Sequence, residues 1–249
     1  MWTRKGVSFK INIRQMEEIT NKKHIERLSL TRVSEGLKVG TRKDGTKYSV
    51  RDDRSRYFFP DEWNNFYKSI KKDKQPIFDC LINTGARIEE ALNVRPKDFD
   101  WERNNLTLAV TKIKAKKNES VGKRRSFTIS SQFAKRMRKY INDNKISDES
   151  VLFEVRKQSV WKMLRNKLKK LGIVDWYNFS LHNIRKTHGM WLKTLISRAR
   201  QGELDSDEIC MRLGHDHNTY LKHYMSPSVF TDTDRDKMVN ILGDVYGLR

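Results

Sequence analysis

Tyr224 stands nine positions after His215 in the stretch Met211-Arg-Leu-Gly-His215-Asp-His-Asn-Thr-Tyr220-Leu-Lys-His-Tyr224. A tyrosine hydroxyl with an imidazole nearby is one set of groups that attacks a phosphodiester without a metal ion. The attack leaves a covalent phosphotyrosine, which divides one hard step into two easier ones. The stretch holds no acidic cluster of the kind that grips a metal. Nine residues are about two and a half helical turns, so both side chains reach one site if the helix is continuous or broken between them. The same residues also fit a helix with a polar face and one core tyrosine. Tyr220, between Thr219 and Leu221, is the rival hydroxyl and a candidate core residue.

Partners for such chemistry occur at two further places. In Asn83-Thr-Gly85-Ala-Arg87-Ile-Glu-Glu90 an arginine follows a glycine break near a helix start. Unsatisfied N–H groups and the helix dipole favour an anion there, and a guanidinium adds bidentate phosphate contacts. The competing reading is an i,i+3 ion pair between Arg87 and Glu90 on a wet surface. In Leu181-His182-Asn-Ile-Arg185-Lys-Thr-His188 the i,i+3 spacing puts His182 and Arg185 on one helix face. A histidine moves protons near neutral pH, and an arginine holds the oxygens where charge develops. Five histidines (182, 188, 215, 217 and 223) crowd the last third of the chain, but none has a recognisable metal-ligand spacing. His188, His217 and His223 read as ordinary satisfied histidines. Lys112 ends a strand-like run, with Lys114, Lys116 and Lys117 after it. A lysine at a hairpin tip protonates a leaving 5′ oxygen; the competing reading is a basic loop that holds backbone phosphates.

The elements that must position these groups follow from periodicity. Pro60 fits the start of a helix that carries Trp63, Phe66, Tyr67 and Ile70 on one face. A second helix follows Pro76, with Ile77, Phe78, Leu81 and Ile82, and Gly85 breaks it. A third runs from Arg87 to the Arg95-Pro96 pair, where the residue before proline disfavours the helical region. Residues 106–113 alternate as a strand, a basic loop runs from Lys114 to Arg125, and Ser126 to Ile129 returns as a second strand. Residues 131–143 form an amphipathic helix with Phe133, Met137, Tyr140 and Ile141. Val160, Trp161, Leu164, Leu168 and Leu171 mark another, closed by Gly172. Helices over 181–196, 209–224 and 232–246 complete the chain. The amino-terminal 55 residues are basic and polar. Val7 to Ile13 alternates as a short strand, residues 15–37 fit one or two short helices, and Asp44-Gly45 fits a basic hairpin. The fold class is therefore mainly α with a small antiparallel β-sheet or hairpin.

The 52 Lys and Arg against 31 Asp and Glu give a net charge of +21, which calls for a polyanion. Basic side chains that neutralise phosphates release condensed counterions and drive nucleic-acid binding. No apolar run approaches the roughly 18 residues of a spanning helix, and no signal-peptide pattern opens the chain, so no membrane partner is expected. Cys80 and Cys210 lie in apolar-periodic stretches and read as buried thiols of a reducing, cytoplasmic interior.

Taken together, these residues resemble the tyrosine recombinase, or phage integrase, family. Thr84-Gly-Ala-Arg87-Ile-Glu-Glu-Ala-Leu looks like its first-arginine motif, and the Lys112 hairpin like its β-hairpin lysine. Leu181-His182-Asn-Ile-Arg185 looks like its H-x-x-R motif, and Leu213-Gly-His215 with Tyr224 like its final histidine and nucleophile. The resemblance implies a tyrosine recombinase catalytic-domain fold over 56–249, closed by a C-terminal helix. It implies that Tyr224 forms a 3′-phosphotyrosine and Arg87 and Arg185 clamp the phosphate. His182 is then the general base or proton carrier, His215 supports the phosphate, and Lys112, or Lys114, is the general acid. It further implies a site-specific recombinase or integrase of a virus, plasmid or other mobile element. Double-stranded DNA is its partner, a homo-tetramer its working form, and no cofactor or metal is needed. The family's C-terminal segment commonly packs on a neighbouring protomer, a role that the resemblance leaves open to Asp232 to Arg249. The family's helical core-binding domain has no counterpart of comparable size in residues 1–55, which read as a short DNA-contacting arm. A type IB topoisomerase-like nicking and closing enzyme, or a DNA-binding module that keeps the fold without recombining, are the alternatives.

Overall fold

A computed structural model describes residues 39–41, 47–49, 57–110, 124–173, 176–199, 205–214, 216–218 and 230–245. The chain divides into two compact units, 1–37 and 38–249. The strand expected at Val7 to Ile13 and the helices expected over 15–37 lie outside the described residues.

A short antiparallel pair joins β1 (Val39–Thr41) and β2 (Lys47–Ser49), with Val39 opposite Ser49; the turn expected at Asp44-Gly45 lies outside the described residues. The helical body begins at α1 (Pro60–Ser69), where Pro60 fills a position whose N–H has no helical partner. Glu62 closes the first turn by accepting from the Phe59 N–H at 2.8 Å. Helix α2 (Gln75–Thr84) starts with Pro76 in its first turn and stops at Gly85, whose φ of 61° is left-handed. Only five residues form α3 (Ile88–Leu92). The sheet orders β3 (Phe99–Asp100), β4 (Asn105–Ala109) and β5 (Arg124–Thr128), all antiparallel. Then come α4 (Ser131–Asp143), α5 (Lys157–Lys170), α6 (Leu181–Ala199), α7 (Asp205–Leu213) and α8 (Asp232–Leu242). The described part is mainly helical with one three-stranded sheet and the short hairpin. No helix of it is long and apolar enough to cross a membrane.

The core centres on an aromatic cluster. Phe58, Trp63, Phe66, Phe78 and Phe179 are all nearly inaccessible to solvent, with ring centroids 4.4–5.7 Å apart. Each such side chain contributes on the order of 1.5–3 kcal/mol through burial. The segment before α1 is tied to α6 by two bonds: the Phe58 N–H donates to Thr187 Oγ1 at 2.9 Å, and Trp191 Nε1 donates to the Phe58 carbonyl at 3.1 Å. This fixes the long helix that carries His182 and Arg185.

Several expectations are corrected. The stretch 209–224 is not one helix: α7 ends at Leu213, Gly214 turns left-handed (φ 62°), and helical backbone resumes only at His217. A glycine takes that φ without the Cβ strain that other residues meet. The second sheet strand begins at Arg124, two residues earlier than the apolar alternation indicates, because Arg124 pairs with Ala109. Strand β3 was not expected from the sequence. Trp161 is 43 % exposed although it follows a buried position, because the buried stripe of α5 runs through Val160, Leu164 and Leu168. Within the chain, the C-terminal helix packs against α1, α2 and α6. Met238, Leu242 and Val245 are buried there. Lys237 pairs with Asp61 at 2.6 Å, and Asp244 accepts from the Ser131 N–H at 3.1 Å.

Candidate active site

Three of the singled-out side chains meet at one cleft of about 530 Å³, lined by Arg87, His182 and Arg185 together with Glu89, Lys157, Gln158 and Trp161. The first turn of α6 forms one wall. Ser180 precedes that helix, and its N–H and hydroxyl both donate to Asn183 Oδ1, at 2.7 and 2.6 Å. These bonds fix the helix start, and the positive end of the 19-residue helix lies at the cleft. His182 lies in that first turn and is exposed. Arg185, one turn deeper, is 1 % exposed and still reaches the cleft wall. Its Nη1 donates to the Gly85 carbonyl at 2.7 Å, and its Nη2 donates to the Leu213 carbonyl. One guanidinium therefore holds the ends of α2 and α7 beside the cleft.

Arg87 stands immediately before α3, as the glycine break predicts. The expected ion pair with Glu90 is present at 2.7 Å, but it is not a wet surface pair. The Glu90 side chain is fully buried, and Arg125 of β5 grips it from the other side, Nη2 to Oε2 at 2.6 Å and Nη1 to Oε1 at 3.1 Å. Burial pushes the Glu90 carboxyl up, yet the bonds from Arg125 and Arg87 outweigh it and hold the group below the usual carboxylate range.

Behind the cleft lies a second, sealed cluster. His188 Nδ1 is 2.6 Å from the Ile82 carbonyl, and Arg212 Nε donates to His188 Nε2 at 2.9 Å. An arginine N–H only donates, so Nε2 is the bare nitrogen and Nδ1 carries the proton. Burial first, and the Arg212 charge second, push the His188 pKa well below its ordinary value. Arg212 also donates to the carbonyls of Thr128 and Asn83 and lies 4.6 Å over the Phe127 ring. Both His188 nitrogens are engaged, which fits the reading of this histidine as a satisfied interior group. Gly85 is packed against it: a Cβ there would come within 2.5 Å of His188 Cδ2 and 2.7 Å of Leu213 Cδ2.

Arg87, His182 and Arg185 are thus brought together. Lys112, Lys114, His215, Tyr220 and Tyr224 lie outside the described residues, as do Lys116, Lys117 and His223. Their flanks are described. Ala109 and Arg124 pair at the base of the connection that holds Lys112, and Leu213, two residues before His215, accepts from Arg185. His217 is exposed. Among the described residues no group of His, Cys, Asp and Glu is placed to hold a metal ion. Cys80 is sealed in the core, where burial pushes its thiol up to about 12, and Cys210 is raised by the same cause. Sequence reasoning missed Arg125 and Arg212. Arg125 shares the strand face of Phe127 and Ile129, so extending that alternation backward reveals a charged residue aimed inward. Nothing in the local pattern marks Arg212.

Comparison with known proteins bears on the family and the fold. The model of the phage integrase family matches residues 57–229. Tyrosine recombinase XerA of Saccharolobus solfataricus is 32% identical over 102 residues, a stretch that is 41% of this chain and 31% of that relative. The matched stretch thus spans about a third of the curated relative's length. A crystal structure of XerA recombinase superposes with a TM-score of 0.53 at 19% identity, covering 74% of this chain and 64% of that one. The Tn1549 transposon integrase in complex with transposon right end DNA gives 0.54 at 18% identity, covering 79% and 69%. XerH recombinase bound to its difH substrate gives 0.51 at 13% identity, covering 86% and 62%. At those identities the structural likeness speaks for the fold, and the fold is the one these recombinases share. The family match extends over most of the chain and over every motif set out above: the chain belongs to the phage integrase family.

Proposed function

We propose that this protein is a site-specific DNA strand transferase that cuts and rejoins duplex DNA through a covalent 3′-phosphotyrosine. The observation that carries the reading is the convergence of Arg87, His182 and Arg185 on one open cleft at the positive end of α6. The tyrosine recombinase relatives and the net charge of +21 support it.

In this reading the Tyr224 hydroxyl attacks the scissile phosphorus, and the bond to the 5′ oxygen breaks. Arg87 and Arg185 hold the nonbridging oxygens, whose charge grows as the fifth bond forms. His182 takes the tyrosine proton, His215 supports the phosphate, and Lys112, or Lys114, delivers a proton to the departing 5′ oxygen. A 5′ hydroxyl from a second duplex then reverses the sequence on the phosphotyrosine, so no metal and no high-energy cofactor is required. The working form is a tetramer on two duplexes in the cytoplasm, and residues 1–55 serve as a short DNA-contacting arm before the catalytic domain at 56–249.

A suicide duplex nicked beside a candidate site tests this, with the protein–DNA adduct read on a denaturing gel. Wild type gives a band that persists with a chelator, and Tyr224→Phe does not. A missing wild-type band in salt where the duplex is bound overturns the reading. A band that survives Tyr224→Phe but not Tyr220→Phe moves the nucleophile.

A further inference from the structure

We infer that Arg125 is a positioning residue that acts through Glu90 to leave the positive charge of Arg87 uncompensated toward the cleft; the inference rests on the strand-transfer reading above. One carboxylate lies between two guanidiniums. Arg125 takes both Glu90 oxygens, Arg87 Nη1 shares Oε1 at 2.7 Å, and the Arg87 backbone N–H takes Oε2 at 2.8 Å. Glu90 is sealed, so its charge is screened less than that of a surface carboxylate. Matched one to one with Arg87, it would cancel the very charge that a phosphate needs. Arg125 supplies the second positive charge, and the three-residue cluster keeps a surplus of one.

Exposure sorts the two arginines into different roles. The Arg87 side chain is 24% exposed and lines the cleft. That of Arg125 is 8% exposed, and its hydrogen bonds among the described residues all go to Glu90. It therefore acts on Arg87 rather than on the substrate. Its location adds a second consequence. Arg125 sits on the strand that returns from the Lys112 connection, and a Cβ at Gly214 would lie 3.5 Å from its Nη1. Arg125 thus binds the start of α3 from the base of the hairpin and lies beside the turn at Gly214.

The experiment measures the single-turnover rate of adduct formation on the saturating suicide duplex, alongside the affinity for that duplex. The proteins are full-length wild type, Arg125→Met, Arg125→Lys, Glu90→Gln and the Glu90→Gln/Arg125→Met double variant. Loss of Arg125 is expected to lower the rate about tenfold or more while duplex affinity changes less than about threefold. Arg125→Lys recovers part of the rate, because it restores charge without the bidentate fork. In the Glu90→Gln background the further change to Met moves the rate less than about twofold, the signature of two residues acting as one unit. If Arg125→Met does not fold, the double variant, in which both charges are gone, supplies the readable case against Glu90→Gln. Wild-type rate in Arg125→Met, affinity falling in step with rate, or losses that multiply in the double variant overturn the inference alone. A wild type that forms no adduct overturns the strand-transfer reading, and this inference with it.

Discussion

His182 and His188 occupy the same helix, six residues apart, and one opens to solvent while the other is sealed. Arg185 stands midway between them. Each i,i+3 step turns the helix by about 60°, so the stripe 182–185–188 winds from the cleft into the interior. At its outer end imidazole and guanidinium face a cavity of about 530 Å³. At its inner end imidazole and the Arg212 guanidinium satisfy each other and three carbonyls. The residue types are the same in both regions, but the solvent differs. An exposed histidine can pass a proton to what enters the cleft. A sealed one is frozen in a single neutral tautomer and becomes a strut. In the proposed reading the chemistry belongs to the outer end of this stripe, and the sealed inner end holds it in place.

The comparison can be broken by substitutions, ranked here by their effect on folding stability. Arg212→Ala leaves His188 Nε2 and the carbonyls of Asn83 and Thr128 without their donor and opens a cavity; a loss of about 3–5 kcal/mol in urea unfolding is expected. Gly85→Ala adds a Cβ against His188 and Leu213 at a left-handed φ, with an expected cost of about 2–4 kcal/mol by the same measurement. Acid should act on the sealed histidine next. Its folded pKa is depressed, so the unfolded chain binds a proton that the folded chain refuses. Stability is then full above about pH 6.5 and falls below it, by at most about 1.4 kcal/mol per pH unit for this one group. Glu90, also depressed, adds a further loss only below about pH 4.3. Unfolding midpoints between pH 7.5 and 5 check this, and His188→Gln should flatten the upper part of the curve. His182→Ala closes the ranking. Its stability is expected within about 0.5 kcal/mol of wild type, while the adduct rate falls about 10²–10⁴-fold. A His182 variant that unfolds, or an Arg212 variant as stable as wild type, would erase the contrast.

Much of the scaffold is legible in the sequence because its signals are local. Pro60, Pro76 and Gly172 punctuate helices at the positions where the structure starts or ends them, and the stripe of Phe133 and Met137 fixes α4 on its own. The spacing of His182 and Arg185 and the glycine break before Arg87 likewise need only a helix period and a cap. What escapes is set by distant partners. Glu90 reads as half of a surface pair until Arg125 arrives from a strand 35 residues away. The end of α7 depends on Gly214 turning left-handed, which a continuous helical pattern does not announce. Arg212 looks like one more basic residue in a basic chain, and only the fold brings His188, Thr128 and Asn83 to it. The packing of α8 on its own protomer depends on surfaces of α1, α2 and α6 that no single segment displays.

The most direct measurement is the identity of the residue that becomes joined to DNA. After reaction with the suicide duplex, the adduct is digested with protease and nuclease, and the nucleotide-bearing peptide is sequenced by mass spectrometry. The account predicts a single modified residue, Tyr224, linked to a 3′ phosphate, with its yield strongly reduced in Arg87→Gln and Arg185→Gln. A modification on Tyr220 or any other side chain, a 5′ linkage, or duplex bound without any adduct would contradict it.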